Sequence, residues 1–175
     1  MTGSPAPSHR FTLVTGGARS GKSTHAEALA AATGRPRRYI ATAQAWDDEM
    51  ADRIARHRAQ RGPGWTTVEA PLDLCGALAG AVADEVVLVD CLTLWLTNHM
   101  LVGHDLAAEA GQLAQALAAC PAPVIAVTNE VGWGIVPDNA LARAFRDEQG
   151  RLNQRLAAQA DHVVAVLCGL PLVLK

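Results

Sequence analysis

FTLVTGGARSGKST, residues 11–24, is the stretch on which the reading of the whole chain turns. A short apolar, β-branched run ends in glycines, and a lysine and a serine then open an Ala-rich segment. Gly16, Gly21, Lys22 and Ser23 fit the pattern G-x-x-x-x-G-K-[ST], set between a strand and a helix as that motif requires. Each residue type has a physical task. The loop Gly16, Gly17, Ala18, Arg19, Ser20, Gly21 can wrap its N–H groups around phosphate oxygens, because glycines put no Cβ in the way. The helix that begins at Lys22 points its positive end at the anion. Lys22 is placed to reach the β and γ phosphates, and the Ser23 hydroxyl to ligate Mg2+. The stretch therefore predicts a nucleoside triphosphate and Mg2+, without saying what the phosphate is used for.

Outward from this loop, apolar runs alternate with Ala/Leu-rich segments. Strands are expected at 11–15, 38–43, 66–70, 85–90, 123–129, 162–168 and 170–175, and helices at 22–33, 48–61, 72–83, 105–119 and 138–160. VVLV (86–89) and VIAV (124–127) are continuous apolar runs, as in strands buried on both faces. Strand and helix in repeated alternation predict an α/β fold with a mostly parallel sheet covered on both sides. The last two strands are joined by so short a link around Gly169 that they must pair antiparallel at the sheet edge.

The chain has 175 residues, half of them hydrophobic and 18% charged, with a formal net charge of −2. That is a globular composition with room for one core. One catalytic domain is expected over 11–175, preceded by a Pro- and Ser-containing flexible extension at 1–10. The near-neutral charge, with no basic or aromatic strand-binding surface, argues against nucleic acid as a partner. No apolar run approaches a membrane span, and the N-terminus lacks the apolar segment of a secretory signal. Cysteines 75, 91, 120 and 168 show no C-x-x-C spacing. Reduced thiols and a cytoplasmic location are the expectation.

Two more stretches bear on chemistry. EVVLVD (85–90) ends in Asp90, the acidic residue that a phosphate loop needs at the end of a neighbouring strand to hold Mg2+ through water; a strand-capping role is the plainer alternative. DDEMADRIARHRAQRG (47–62) reads as a charged helix in which Met50, Ile54 and His57 share a face. Arg53, His57 and Arg61 are spaced four apart, so cations flank the imidazole and favour its neutral, nucleophilic form. By the residues alone, an ordinary solvated arginine face remains the simpler reading. Asp47, Asp48 and Glu49 suit a helix start. His25 is expected to pack on the surface, His99 and His104 flank a loop, and His162 opens a strand. TNEVGWGIVPDN (128–139) leaves a buried strand on the side where ligands sit in open α/β sheets. Trp133 there suits a flat ligand, a core cover or a subunit contact equally.

VTGGARSGKS (14–23), ATAQAWDDEMADRIARHR (41–58), TNEVGWGIVP (128–137) and FRDEQGRLNQRLAAQADHVVAVLCGLPLVLK (145–175) together closely resemble the bifunctional adenosylcobinamide kinase / adenosylcobinamide-phosphate guanylyltransferases of cobalamin biosynthesis, over essentially residues 11–175. The resemblance implies a RecA-like P-loop fold and a homotrimer. It implies that adenosylcobinamide is phosphorylated by GTP or ATP. GMP then passes from GTP to adenosylcobinamide phosphate through a guanylylated histidine, with release of pyrophosphate. By the same match the histidine is His57, and Arg56 stands where some members carry a second histidine. Nucleotide contacts carry over to Gly16–Ser23, to Thr42, Ala43 and Gln44, to Arg58, Ala59, Gln60 and Arg61, to Glu69 and to Asp90. Lys22 and Asp90 join His57 as catalytic groups, with Ser23 and Asp90 on Mg2+; Asp90 and Glu130 are candidate bases for the kinase step. The alternative is a P-loop small-molecule kinase in which His57 is idle.

Overall fold

The computed structural model describes residues 9–44, 52 and 62–175. Seven strands form one sheet: β1 (Phe11–Thr15), β2 (Arg37–Ala41), β3 (Trp65–Glu69), β4 (Val86–Asp90), β5 (Val124–Val127), β6 (His162–Leu167) and β7 (Leu170–Val173). Their spatial order is β3-β2-β4-β5-β1-β6-β7. All neighbouring pairs are parallel except β6–β7, which is antiparallel. Each expected strand is present: β1 matches to the residue, β2 and β3 begin one residue earlier and end sooner than expected, and the other four are shortened. The N-terminal extension and the helix expected at 48–61, with His57 and Arg58–Arg61, lie outside the described residues apart from His9, Arg10 and Asp52.

The continuous apolar runs are explained by two cores, one on each face of the sheet. Val14, Tyr39, Val86, Leu88, Ile125, Val127, Val164 and Val166 pack on one side with Ala26 and Ala30 of α1 (Lys22–Ala32). Leu13, Ile40, Val87, Val89, Val124, Ala126 and Val163 point to the other. There they meet α2 (Leu74–Ala79), α3 (Leu92–Leu101), α4 (Leu106–Ala119) and α5 (Ala140–Gln159). Successive strand residues feed opposite cores, so neither parity can be polar. Each fully buried Val or Leu contributes roughly 1.5–3 kcal/mol of transfer free energy.

Helix starts are set by side-chain caps. Asp105 accepts from the N–H groups of Ala107 and Ala108, and Asn139 accepts from that of Ala142. α3 was not anticipated. LTLWLTNHML has no polar stripe to mark a helical period, because Leu92, Thr93, Trp95, Leu96, Asn98 and His99 are all buried. It begins at the carboxyl end of β4 and crosses toward β2 and β3. Asn98 Nδ2 donates to Thr42 O and to Pro71 O, and Trp95 Nε1 donates to Leu72 O.

The β6–β7 link is a two-residue turn. Cys168 and Gly169 both have positive φ, 52° and 79°, which gives the turn the twist that an antiparallel pair needs. Gly169 N–H also donates to Ser20 O at 2.9 Å, so the hairpin is tied to the loop after β1.

Candidate active site

The loop between β1 and α1 closes over tight space. A Cβ at Gly16 would stand 2.6 Å from both Val166 O and Ser20 Oγ. Gly21, at φ 94°, is the N-cap of α1, and a Cβ there would meet Gly169 Cα at 3.3 Å. Among the described residues no side chain caps α1, so the dipole and N–H groups of its first turn address the loop itself. Arg19 sits in the left-handed region at φ 57°. Lys22 is buried, and its Nζ donates back to Gly17 O at 3.2 Å. Among the described residues, buried Ser20 Oγ and Thr15 Oγ1 have no hydrogen-bond partner, which suits an oxygen-rich ligand at this place.

Asp90 was expected on a neighbouring strand. The structure corrects this: β5 lies between β1 and β4. The register nonetheless brings the groups level, since Asp90 pairs with Val127 and Val127 with Val14. α1 packs over β1, β5 and β4, so the helix that Lys22 opens spans the inserted strand. The Lys22 charge is felt at Cys91, next to Asp90. The Tyr39 hydroxyl donates to Asp90 Oδ2 at 3.0 Å and orients the carboxyl group. Cys91 is buried, and burial followed by the Asp90 charge pushes its thiol up to about 11. The Asp90–Cys91 peptide is cis.

Thr42 holds this corner together. Its hydroxyl donates to Cys91 O at 2.7 Å and accepts from Cys91 N–H at 2.9 Å. Its own N–H donates to Asp90 O, and its carbonyl accepts from Asn98. Being fully buried, Thr42 bears on the site through the Cys91 backbone, while Ala43 and Gln44 follow it at half-exposed positions. Glu69 is level with Ala41 and Asp90 but sits on edge strand β3, exposed and four strands from β1. At the usual strand spacing that is about 19 Å. The structure thus brings together Gly16–Ser23, Asp90 and the segment after β5, and leaves Glu69 at the opposite end of the row.

The segment after β5 is held by a polar cluster. Thr128 Oγ1 donates to Asn153 Oδ1 at 2.7 Å and accepts from Gln149 Nε2 at 3.0 Å. Asn153 Nδ2 donates to Asn129 O and to Glu130 Oε1, both at 3.0 Å. Glu130 N–H donates to Gly16 O at 3.1 Å, and Asn129 N–H to Thr93 Oγ1 at 2.9 Å. Glu130 is therefore fastened beside the first glycine of the loop. Tyr39, Thr93, Gln149 and Asn153 were missed as supports of the site. A signal was available for two of them: Gln149 and Asn153 are four apart on α5 and share the inward face of Leu152 and Leu156. Trp133 is 76% exposed, which removes a core-covering role.

A Mg2+ ion suits this donor set: a serine hydroxyl, an aspartate and phosphate oxygens are hard oxygen ligands. Ser23 and Asp90 would hold it, and it would supply charge stabilisation at the phosphates.

Fold and site define a P-loop nucleotide-binding enzyme of RecA-like architecture. Solved structures with that architecture are similar at the level of the fold. The RadB recombinase aligns over 89% of this chain and 73% of its own at TM-score 0.52 and 18% identity. A type III secretion ATPase aligns over 89% and 50% at TM-score 0.56 and 11% identity. Sequence is more particular. The family model described as cobinamide kinase / cobinamide phosphate guanyltransferase matches residues 12–174, and the chain belongs to that family of bifunctional enzymes. It is 48% identical over 166 residues to the bifunctional adenosylcobalamin biosynthesis protein CobP of Pseudomonas aeruginosa, covering 93% of this chain and 96% of the relative. The corresponding CobU proteins of Salmonella typhimurium and Escherichia coli K12 are 47% and 45% identical over 179 residues, at 93% and 98% coverage.

Proposed function

We propose that the enzyme phosphorylates adenosylcobinamide with GTP or ATP and then guanylylates the product through His57. The observation that carries the phosphate chemistry is the register that sets Asp90 level with Val14 across β5, beside a loop in which Lys22 opens α1. In the kinase step the loop amides and Lys22 hold the β and γ phosphates, and positioning supplies most of the rate. Glu130, fastened by Asn153 and Gly16, is the better placed candidate to take the proton from the substrate hydroxyl.

In the transfer step a His57 nitrogen attacks the α-phosphorus of GTP. A P–N bond forms, the P–O bond to pyrophosphate breaks, and the departing charge is stabilised by Lys22. A phosphate oxygen of adenosylcobinamide phosphate then attacks the same phosphorus and frees His57. Arg58 and Arg61 grip the nucleotide, and Ala43 and Gln44 flank it on the β2 side. Support for His57 comes from its place in the matched segment, with Arg56 beside it. GTP labelled at the α-phosphate tests the step. The protein should acquire one acid-labile, base-stable label per site, lost in His57→Ala, which keeps kinase activity. An active enzyme that takes no label would leave only the kinase reading.

We also propose a cytoplasmic homotrimer. Apolar side chains exposed on edge strand β7, Leu170, Leu172 and Val173, and in the 131–137 segment, Trp133, Ile135 and Val136, support burial between subunits. Among the described residues no helix is long and apolar enough to cross a membrane.

A further inference from the structure

Three basic atoms converge where α3 ends and α4 begins, away from the phosphate loop. His99 Nδ1 and His104 Nδ1 are 2.9 Å apart. Glu109 places Oε2 3.6 Å from His99 Nδ1 and Oε1 3.7 Å from His104 Nδ1. One atom from each of the three residues lies within 4.8 Å of the others.

The hydrogen bonds determine which of these atoms carry protons. His99 Nε2 lies 3.2 Å from Leu72 O, and a carbonyl only accepts, so the proton of neutral His99 is on Nε2. Its Nδ1 lone pair then faces His104, whose Nδ1–H donates to it. Two lone-pair sites and a carboxylate therefore share one proton. An imidazole that donates its far N–H to a backbone carbonyl is also the arrangement by which proteins orient a metal-binding histidine. His99 is further locked by burial and by the Trp95 ring at 4.5 Å. His104 and Glu109 are partly exposed, which gives an ion a way in and leaves a position for water.

We propose that His99, His104 and Glu109 form a binding site for a divalent transition-metal ion, with zinc the best match. Two imidazole nitrogens and a carboxylate suit zinc and its neighbours, and disfavour Mg2+, which prefers oxygen. Zn–N bonds of about 2.0–2.1 Å in a tetrahedral site need the two nitrogens about 3.3 Å apart, so His104 has to withdraw by a few tenths of an ångström. The ion takes the place of the His104 Nδ1 proton, and His104 passes to its other neutral tautomer with the proton on Nε2, so no net proton is released. The site would pin the end of α3 to the start of α4. α3 also carries Thr93, which holds Asn129, and Asn98, which holds Thr42, so occupancy would stiffen the frame behind the active site.

The test uses the untagged full-length enzyme, stripped with chelator and dialysed against Zn2+. One ion per chain should bind with micromolar or tighter affinity. Kd should rise at least tenfold in His104→Ala and in the near-isosteric Glu109→Gln, and stay unchanged in Cys168→Ser, which removes an exposed thiol. Co2+ should give a visible ligand-field absorption lost in the same two variants, and Zn2+ should raise the Tm of the wild type but not of His104→Ala. Absence of stoichiometric binding, or equal binding in wild type and both variants, would overturn the site.

Discussion

Lys22 shows how one side chain depends on its surroundings. It is buried in the loop it serves, with Nζ on Gly17 O, and its charge reaches the Asp90–Cys91 corner. Lys22→Ala should lower kcat for both half-reactions by on the order of 10²-fold or more, the usual cost of removing a charge aimed at a developing anion; steady-state assays of each step check it. Gly16→Ala places a methyl 2.6 Å from Val166 O, a backbone atom that cannot step aside. We expect nucleotide affinity, measured by calorimetry, to collapse while β1 and β6 still pair. Cys91 allows a prediction about pH. Its native thiol stands at about 11, above the ordinary 9.0, so the folded state binds the proton more tightly than the unfolded chain. The stabilisation is complete below about 9 and is lost as pH rises through about 11. Burial shifts Cys75 and Cys120 in the same direction. Denaturant titrations should show stability falling with alkaline pH, with a shallower slope in Cys91→Ser.

At the scale of elements, α5 is the strut of the site. Its apolar face is anchored by Leu152 and Leu156, and its polar pair Gln149 and Asn153 grips Thr128, Asn129 and Glu130. Asn153→Ala leaves the Thr128 hydroxyl and the Glu130 carboxylate short of a partner in a buried setting. The variant should lose about 1–3 kcal/mol of stability by chemical denaturation. It should also lose kcat in the kinase step with little change in nucleotide binding, because the Glu130 carboxylate loses its side-chain anchor while the Glu130 N–H bond to Gly16 O remains. A parallel loss of nucleotide affinity would show that the cluster shapes the phosphate loop instead. α5 was legible because its polar and apolar faces alternate at helical spacing. α3 was not, since apolar residues such as Leu94, Met100 and Leu101 also occupy its more exposed side and no polar stripe marks the period. His99 was therefore read as flanking a loop, when it lies within a helix and faces His104 and Glu109.

At the scale of the whole molecule, the sheet ends in β7, whose four residues are all exposed and three of them are Leu or Val. Such an edge invites a partner. The wild type should sediment at the mass of three chains, and Leu172→Glu should shift it toward the single chain without unfolding it. A wild type that sediments as one chain would remove the trimer reading and leave the apolar edge to another partner.

The amino-acid sequence by itself determined the phosphate loop, the strand–helix alternation, the antiparallel last pair and the family, because these are written in local spacing and turn chemistry. β1 was readable to the residue, since the glycines that end it are a local signal. Only the tertiary structure decided that β5 stands between β1 and β4. It also decided that Glu69 lies at the far edge of the row, that Thr42 acts through Cys91, and that His99, His104 and Glu109 meet. Strand order and the meeting of side chains across helix ends depend on which apolar faces bury one another over long separations, and no local pattern in the chain records that choice.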